Sequence, residues 1–503
     1  MENRRYKFLF ILIMLAVTLL RILYIKYGPL DLSTEEAQYW EWSRRLDLSY
    51  YSKGPMVAYI IYILTKIGGN TELAVRTGAV VISILISILL YIFTKDIFKS
   101  ERAAFFAGVV PQVTPLFAAG SILMTIDPPF ILFWGLSIYF LRKAVTEREN
   151  IFWYLTGIAI GFGLLSKYTM AMFYPLVFLF LLLSKKDRHW LIRKEPYLAF
   201  IISIIIFSPV IIWNIQHDWV TVKHVIGQAN VPAGFRASSK WFIEFIVSQV
   251  GIITPLVFAG ILYAMIKSGQ LALKNPRDHL LLFLTSAPVI IFFALKSLQG
   301  KVQANWPAHA YFTAFVSVSG IFEGLYLKKR GIRIFVISAI FIGIILTGFA
   351  HYPQISSLFG IELKPKMNPT NRLIGWEEVG HRTGTIYREM SERNHTFIFS
   401  DSYHVAGELA FYVPENPVTY NVNLGRRMNQ YDLWEGFNNF IKSDAIFVKM
   451  GGDDFPDALK VAFSRYEKEP FYIYRSGKQV REFSIFRCYD FKGLKIPIEK
   501  LKY

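Results

Sequence analysis

The chain has 503 residues, 53% of them hydrophobic and only 18% charged, which is too apolar for an ordinary soluble protein of this size. A formal net charge of +18 would suit a nucleic-acid partner, but the cations sit mainly in short loops between apolar runs, so the positive-inside rule accounts for them and no nucleic acid is implied. The single cysteine, Cys488, excludes an intramolecular disulfide and any thiolate metal cluster built within one chain.

Apolar runs of membrane-spanning length recur through the first two thirds of the chain. Arg4, Arg5 and Lys7 precede the first run, 8–24, which lacks a secretory cleavage pattern and is taken as an uncleaved span. This places the N-terminus in the cytoplasm and the following loop outside. A short apolar helix over 55–67 is marginal for a full crossing. Further spans are expected at 74–93 and 103–123, and a fourth runs from the outer turn MTIDPP to Arg142 and Lys143. A fifth starts near Phe152 and ends at SKYT, and a sixth ends at Lys185 and Lys186. Others are expected at 197–213, 242–266 and 280–295, then one ending at Lys328 and a last at 334–350. The expected fold is therefore mainly α, a polytopic membrane protein with about eleven spans in a membrane domain over 1–350.

After His351 the apolar runs shorten. Helices are expected over 376–393, 405–412 and 433–441, and strands over 396–400, 418–421 and 445–450. The charge alternation assigns this small α/β domain, 351–503, to the extracytoplasmic side.

The loop at 29–55, PLDLSTEEAQYWEWSRRLDLSYYSKGP, differs from the apolar segments on either side. It carries Asp31, Glu35, Glu36, Glu41 and Asp47, a dense set of aromatics, and Arg44, Arg45 and Lys53. The same alternation puts Asp127, the Ser166-Lys167-Tyr168 segment and the stretch 296–306 on that face, which suggests a shared polar cavity. Such a set suits transfer of a group from a lipid-borne, anionic donor: a carboxylate takes a proton from the acceptor, and cations meet the phosphate as it leaves.

Ser33-Thr34-Glu35-Glu36 fits a capping box, with Ser33 as N-cap and Glu36 three residues into the helix. Glu35 is not needed for the cap and is the better base. Replacing Glu36 by Gln is then expected to cost on the order of 1 kcal/mol through the helix start. Asp127-Pro128-Pro129 has the form of an N-cap followed by proline, a role that does not exclude ligand contact. Lys53 stands at a helix entrance before Gly54-Pro55. No zinc motif, phosphate-binding loop or dinucleotide fingerprint occurs in a credible context, and no cofactor is specified. External carboxylates and histidines leave a divalent metal open, without diagnostic spacing. A transporter should show repeat symmetry or mid-span acids, and neither is visible.

The segment LSTEEAQYWEWSRRLDLSYYSKGPMVAYII resembles the first-loop signature of glycosyltransferase family 39 and its bacterial relatives, among them protein O-mannosyltransferases and lipid A aminoarabinose transferases. ILMTIDPPFILFWGL is similar to the second-loop Asp motif of that group, GFGLLSKYTMAMFYP to its Ser-Lys-Tyr segment and VQANWPAHAYF to its Asn-Trp-Pro segment. The resemblance implies a GT-C type fold, a polyprenyl-phosphate-linked sugar donor and inversion at the anomeric carbon on the external or periplasmic face of the cell (inner) membrane. It implies Glu35 and Asp127 as catalytic residues, and Glu36, Tyr39, Tyr51, Lys53, Lys167, Tyr168, Lys301, Asn305 and Trp306 as substrate-binding residues. Two departures stand out. Glu35 occupies a position where the family usually has Asp, so the base sits differently or shares its role with Asp127. Ser52 replaces the acid beside the cation at Lys53. The acceptor implied is an envelope lipid resembling lipid A, with protein O-glycosylation as the alternative and a lipid or solute transporter as the reading from another class.

Reporter fusions test the orientation: Glu147 and Arg188 are expected to read cytoplasmic, and Asn230 and Asp453 external. An external signal at Arg188 together with a cytoplasmic one at Asp453 reverses it.

Overall fold

The computed structural model describes residues 2–228, 238–274, 276–326, 328–353, 368–475 and 477–494. Helix α1 (Glu2–Tyr27) is apolar nearly all round and leaves Phe8, Leu15, Leu19 and Leu20 exposed, the pattern of a helix whose solvent is lipid. Two short helices follow in the first polar loop and after it, α2 (Thr34–Ser43) and α3 (Met56–Gly68). Then come α4 (Glu72–Phe98), α5 (Glu101–Val109), α6 (Pro115–Gly120), α7 (Asp127–Glu147), α8 (Asn150–Ser166) and α9 (Phe173–Leu183). The helical part continues with α10 (Glu195–Gln216), α11 (Val220–Gln228), α12 (Ser239–Ile253), α13 (Pro255–Ala272) and α14 (Pro276–Leu284). It ends with α15 (Ala287–Ser297), α16 (Ala310–Tyr326) and α17 (Arg330–His351).

Among the described residues, six helical stretches are long and apolar enough to cross a membrane: 4–27, 72–98, 195–216, 255–272, 277–297 and 330–351. Among the described residues the expected count of about eleven is not matched by long continuous helices: proline breaks one run, and others form helices of 17 residues or fewer, such as α8, α9 and α16. The run at 103–123 is split by Pro111 and Pro115 into α5, a 3-10 turn over 110–113 and α6. The run at 242–266 breaks at Thr254, whose φ of 74° lies in the left-handed region, and Pro255 starts the next helix.

Two structural devices fix the first loop. The capping box at α2 forms as the sequence predicts: Ser33 Oγ accepts from Glu36 N at 3.3 Å, and Glu36 Oε2 accepts from Ser33 N at 2.9 Å. Glu36, however, does more than cap. Its carboxylate also accepts from Arg76 Nε and Nη2, each at 3.2 Å, and from Met124 N at 2.9 Å. Arg76, on α4, donates to the carbonyls of Leu30 at 3.0 Å and Asp31 at 2.6 Å. Both side chains are fully buried, so the pair holds α2, α4, the loop backbone and the approach to Asp127 in one place.

The C-terminal part builds a sheet from α18 (Trp376–Ser391), β1 (Thr396–Ser400), α19 (Tyr403–Tyr412), β2 (Thr419–Asn421), β3 (Asp444–Met450), α20 (Asp457–Lys460), β4 (Phe463–Arg475) and β5 (Lys478–Phe491). The strand order is β2-β1-β3-β5-β4, with β1 parallel to β2 and β3, and β5 antiparallel to both its neighbours. The helix expected over 433–441 does not form. Gly436 and the Asn438-Asn439 pair favour turns there, and Phe437 and Phe440 pack with Phe397 at ring-centroid distances of 5.0 and 5.4 Å.

This sheet unit rests on the first loop. Asp31 Oδ2 accepts from Trp376 N at 2.6 Å, at the N-terminus of α18. Leu32 N donates to Tyr412 Oη at 2.6 Å, and the rings of Trp40 and Phe411 meet edge-on at 5.0 Å.

The Glu36 contacts revise the cost of the Gln substitution. Glu36→Gln takes from the buried Arg76 guanidinium its hydrogen-bonded carboxylate and leaves only Glu72, at 3.7 Å, as an anion, so it should destabilise by roughly 3 kcal/mol, well beyond the loss of a cap. Thermal unfolding of the purified protein in detergent checks this. A loss of only about 1 kcal/mol would leave the cap as the whole of its role.

Candidate active site

Three polar segments converge beside α2. Gly54 permits the first approach: a Cβ there would lie 2.0 Å from the Leu165 carbonyl oxygen, so only glycine lets this loop lie against the end of α8. That contact brings Lys53 next to the segment that carries Lys167. Asp127, expected as an N-cap, makes no capping bond to its own helix. Its carboxylate instead accepts from Lys167 Nζ at 2.7 Å on Oδ1 and from Asn305 Nδ2 at 2.5 Å on Oδ2. Lys167 also stands over the Phe130 ring at 5.6 Å.

Two cavities meet at this knot. One, of about 220 Å³, is lined by Glu35, Ser83, Gln112, Asp127 and Asn305 among apolar neighbours. The other, of about 330 Å³, is lined by Ser52, Lys53, Lys167, Tyr168, Phe292, Phe293, Lys296 and Trp306. Carboxylates face the first and cations with aromatic rings face the second. The Asp127–Lys167 pair forms part of the wall between them.

Glu35 and Glu36 are neighbours on α2 and point differently. Glu36 is turned into the protein, whereas the Glu35 side chain is open to the first cavity and makes no hydrogen bond among the described residues. Its exposure is to a recess with protein around it, so desolvation raises its carboxyl above the usual carboxylate range. Lys53 opposes the rise, and the charges of Asp127 and Glu36 add to it. Lys53 is shifted the other way, its ammonium lowered first by desolvation and then by Lys167, with Glu35 and Asp127 opposing. Lys53 makes no hydrogen bond or ion pair among the described residues, whereas Lys167 is committed to Asp127.

The structure thus brings together Glu35, Asp127, Lys53, Lys167, Tyr168, Asn305 and Trp306. Tyr39 is buried near enough to Glu35 and Asp127 for both charges to act on it. Glu36 is not placed to bind substrate, because protein donors take up its oxygens. Tyr51 lines neither cavity: its ring lies edge-on to His224 at 4.9 Å and its backbone N–H donates to Gln430 Oε1 at 2.6 Å. Lys301 is exposed and pairs with Glu244 at 3.0 Å, bordering neither cavity. The loop aromatics are packing for the most part: Trp42 stacks on Tyr50 at 4.4 Å, and Tyr50 Oη donates to the Trp42 carbonyl at 2.9 Å. Sequence reasoning missed Tyr403, which α19 brings within electrostatic reach of Glu35, and Ser83 and Gln112 on the cavity wall. Nothing in their local sequence distinguishes them from helix caps and span polar residues. Among the described residues, no three His, Cys, Asp or Glu side chains come together to hold a metal ion.

Comparison with known proteins bears on the family and the fold. Residues 52–213 match the family model described as dolichyl-phosphate-mannose-protein mannosyltransferase. A lipid A galacturonosyltransferase from Rhizobium johnstonii is 28% identical over 329 residues, 64% of this chain and 67% of that protein. An undecaprenyl phosphate-alpha-4-amino-4-deoxy-L-arabinose arabinosyl transferase from Pectobacterium atrosepticum is 23% identical over 285 residues, 53% of this chain and 49% of that protein, so the match spans about half of its length. The crystal structure of ArnT from Cupriavidus metallidurans bound to undecaprenyl phosphate superposes with a TM-score of 0.62 at 14% identity, over 96% of this chain and 98% of that one, which establishes the shared fold. By these matches the chain is a glycosyltransferase similar to those of the GT-C, aminoarabinose-transferase type.

Proposed function

We propose that this enzyme moves a sugar from a polyprenyl-phosphate donor to an envelope lipid of the lipid A kind, with inversion, on the external (periplasmic) side of the inner membrane. The observation that carries the reading is the pair of cavities meeting at Asp127–Lys167, one with carboxylates and one with cations and aromatics. The activities of the relatives agree with a lipid-phosphate donor and a lipid acceptor. The sheet unit and the first loop then lie outside, and the shorter and the broken helices bring the membrane crossings to a total of about eleven.

In this reading the donor phosphate sits by Lys53, with its prenyl tail along Phe292, Phe293 and Trp306. The sugar projects past the Asp127–Lys167 pair toward Glu35. Glu35 takes the acceptor hydroxyl proton as that oxygen bonds to the anomeric carbon. The bond from that carbon to the phosphate oxygen breaks, and the phosphate leaves with the electron pair. Lys53 is the fixed cation that meets the charge developing there. Asp127, held by Lys167 and Asn305, keeps its carboxylate oriented toward the sugar and orders the wall that separates donor from acceptor.

Lys53→Ala should lower turnover by roughly 10²–10³, as for other preorganised charge stabilisers, and Lys53→Arg should recover part of it. The assay uses purified protein in nanodiscs with an undecaprenyl-phosphate-linked sugar and lipid A, with product masses read directly. Unchanged donor use by Lys53→Ala makes that residue a membrane anchor, and label found on protein rather than lipid replaces the acceptor.

A further inference from the structure

Arg21 has no part in the chemistry above, yet it is a cation six residues, or about 9 Å of helix rise, below the outer end of α1. It is 6% exposed. Its Nη1 donates to Ser83 Oγ at 3.1 Å and its Nη2 to Gln112 Oε1. Both acceptors are neutral, and no carboxylate pairs with Arg21 among the described residues. A guanidinium at this depth is costly without an anion, and donors remain on it after two hydrogen bonds.

The guanidinium borders a third cavity, of about 550 Å³, between α1 and α17, beside Tyr24, Thr347, Gly348 and His351. Both helices are lipid-facing: Leu19 and Leu20 on one and Ile344 and Ile345 on the other are exposed, so a lipid headgroup can enter sideways. Gln112 lines this cavity and also the cavity that holds Glu35, and Ser83 lines the latter. The two partners of Arg21 therefore stand in the wall next to the carboxylates. The cations Lys53 and Lys167 border the other cavity, across the Asp127 knot.

We infer that the cavity between α1 and α17 receives the anionic headgroup of the acceptor lipid, with Arg21 pairing to a phosphate on it and the acceptor hydroxyl reaching Glu35 past Gln112. The inference rests on the lipid-to-lipid transfer proposed above. It assigns the acceptor a charge-specific entry separate from the donor phosphate site, which fits a reaction whose two substrates must approach the anomeric carbon from opposite sides.

Two variants test it by separate routes. Arg21→Gln removes the charge. Gly348→Phe fills the cavity, since a Cβ on Gly348 meets nothing within 4 Å, and leaves Arg21 intact. Direct binding to each purified protein in nanodiscs is measured with two probes, bisphosphorylated lipid A and undecaprenyl phosphate. Both variants should bind lipid A roughly 10- to 100-fold more weakly, the range of a lost charge-assisted contact, with undecaprenyl phosphate binding unchanged. Dephosphorylated lipid A should not distinguish Arg21→Gln from the wild type. Lipid A binding that survives both substitutions overturns the inference alone, and so does parallel loss of undecaprenyl phosphate binding, which would place Arg21 at the donor. A wild type that binds undecaprenyl phosphate but not lipid A overturns the acceptor in the functional reading, and this inference with it.

Discussion

The buried pair of Glu36 and Arg76 is the constraint on which the rest depends. A lone charge at either position would be untenable inside the bundle, and neither oxygen of Glu36 nor the donors of Arg76 are left idle. The pair joins the start of α2 to α4, to the loop backbone at Leu30 and Asp31, and to Met124 just before Asp127. Rotation of α2 is thereby fixed. With Glu36 committed inward, the adjacent Glu35 must face the cavity. The sheet unit bears on the same loop through Trp376, Tyr412 and Phe411, so the surface outside the helices is tied to the geometry of the base.

From this frame follows a division of charge. Asp127 and Lys167 largely satisfy each other across 2.7 Å, which leaves Lys53 without a bonded anion and Glu35 without a bonded donor among the described residues. The two act on each other at a distance: Lys53 holds down the rise in the Glu35 pKa. An anionic donor that neutralises Lys53 removes that restraint and makes Glu35 a stronger base.

Much of this was legible in the residues. The capping box at Ser33 singles out Glu35 by freeing it, and charge alternation puts the four polar clusters on one face with a shared cavity expected, where the structure has two adjoining cavities. The first loop, the Asp127 turn, the Ser-Lys-Tyr segment and Asn305-Trp306 do converge. What local sequence could not carry was partnership over distance. Glu36 looked like a cap because its other partner, Arg76, is 40 residues away within an apolar span. Tyr51 and Lys301 stand in the right segments but line neither cavity, since side-chain direction is set by contacts such as those with His224 and Glu244. Hydropathy counts spans where Pro111 and Pro115 break a helix and where apolar helices stop at 17 residues or fewer. The hairpin of β4 and β5 escaped because β4 is an edge strand, charged along much of its length and exposed at most positions, and so gives little alternation of polar and apolar residues.

The central claim is that Glu35, and not Asp127, takes the proton. The pH dependence of the transfer step, measured under single turnover at matched folded protein, tests it most directly. A base whose pKa is raised must lose its proton before it acts, so the wild-type rate should rise with pH through a value above the usual carboxylate range. Glu35→Gln should abolish that limb and lower the rate by roughly 10²–10⁴ while undecaprenyl phosphate still binds. A Glu35→Gln enzyme with a normal rate and an unaltered acid limb, alongside an inactive Asp127→Asn, would contradict the account and make Asp127 the base.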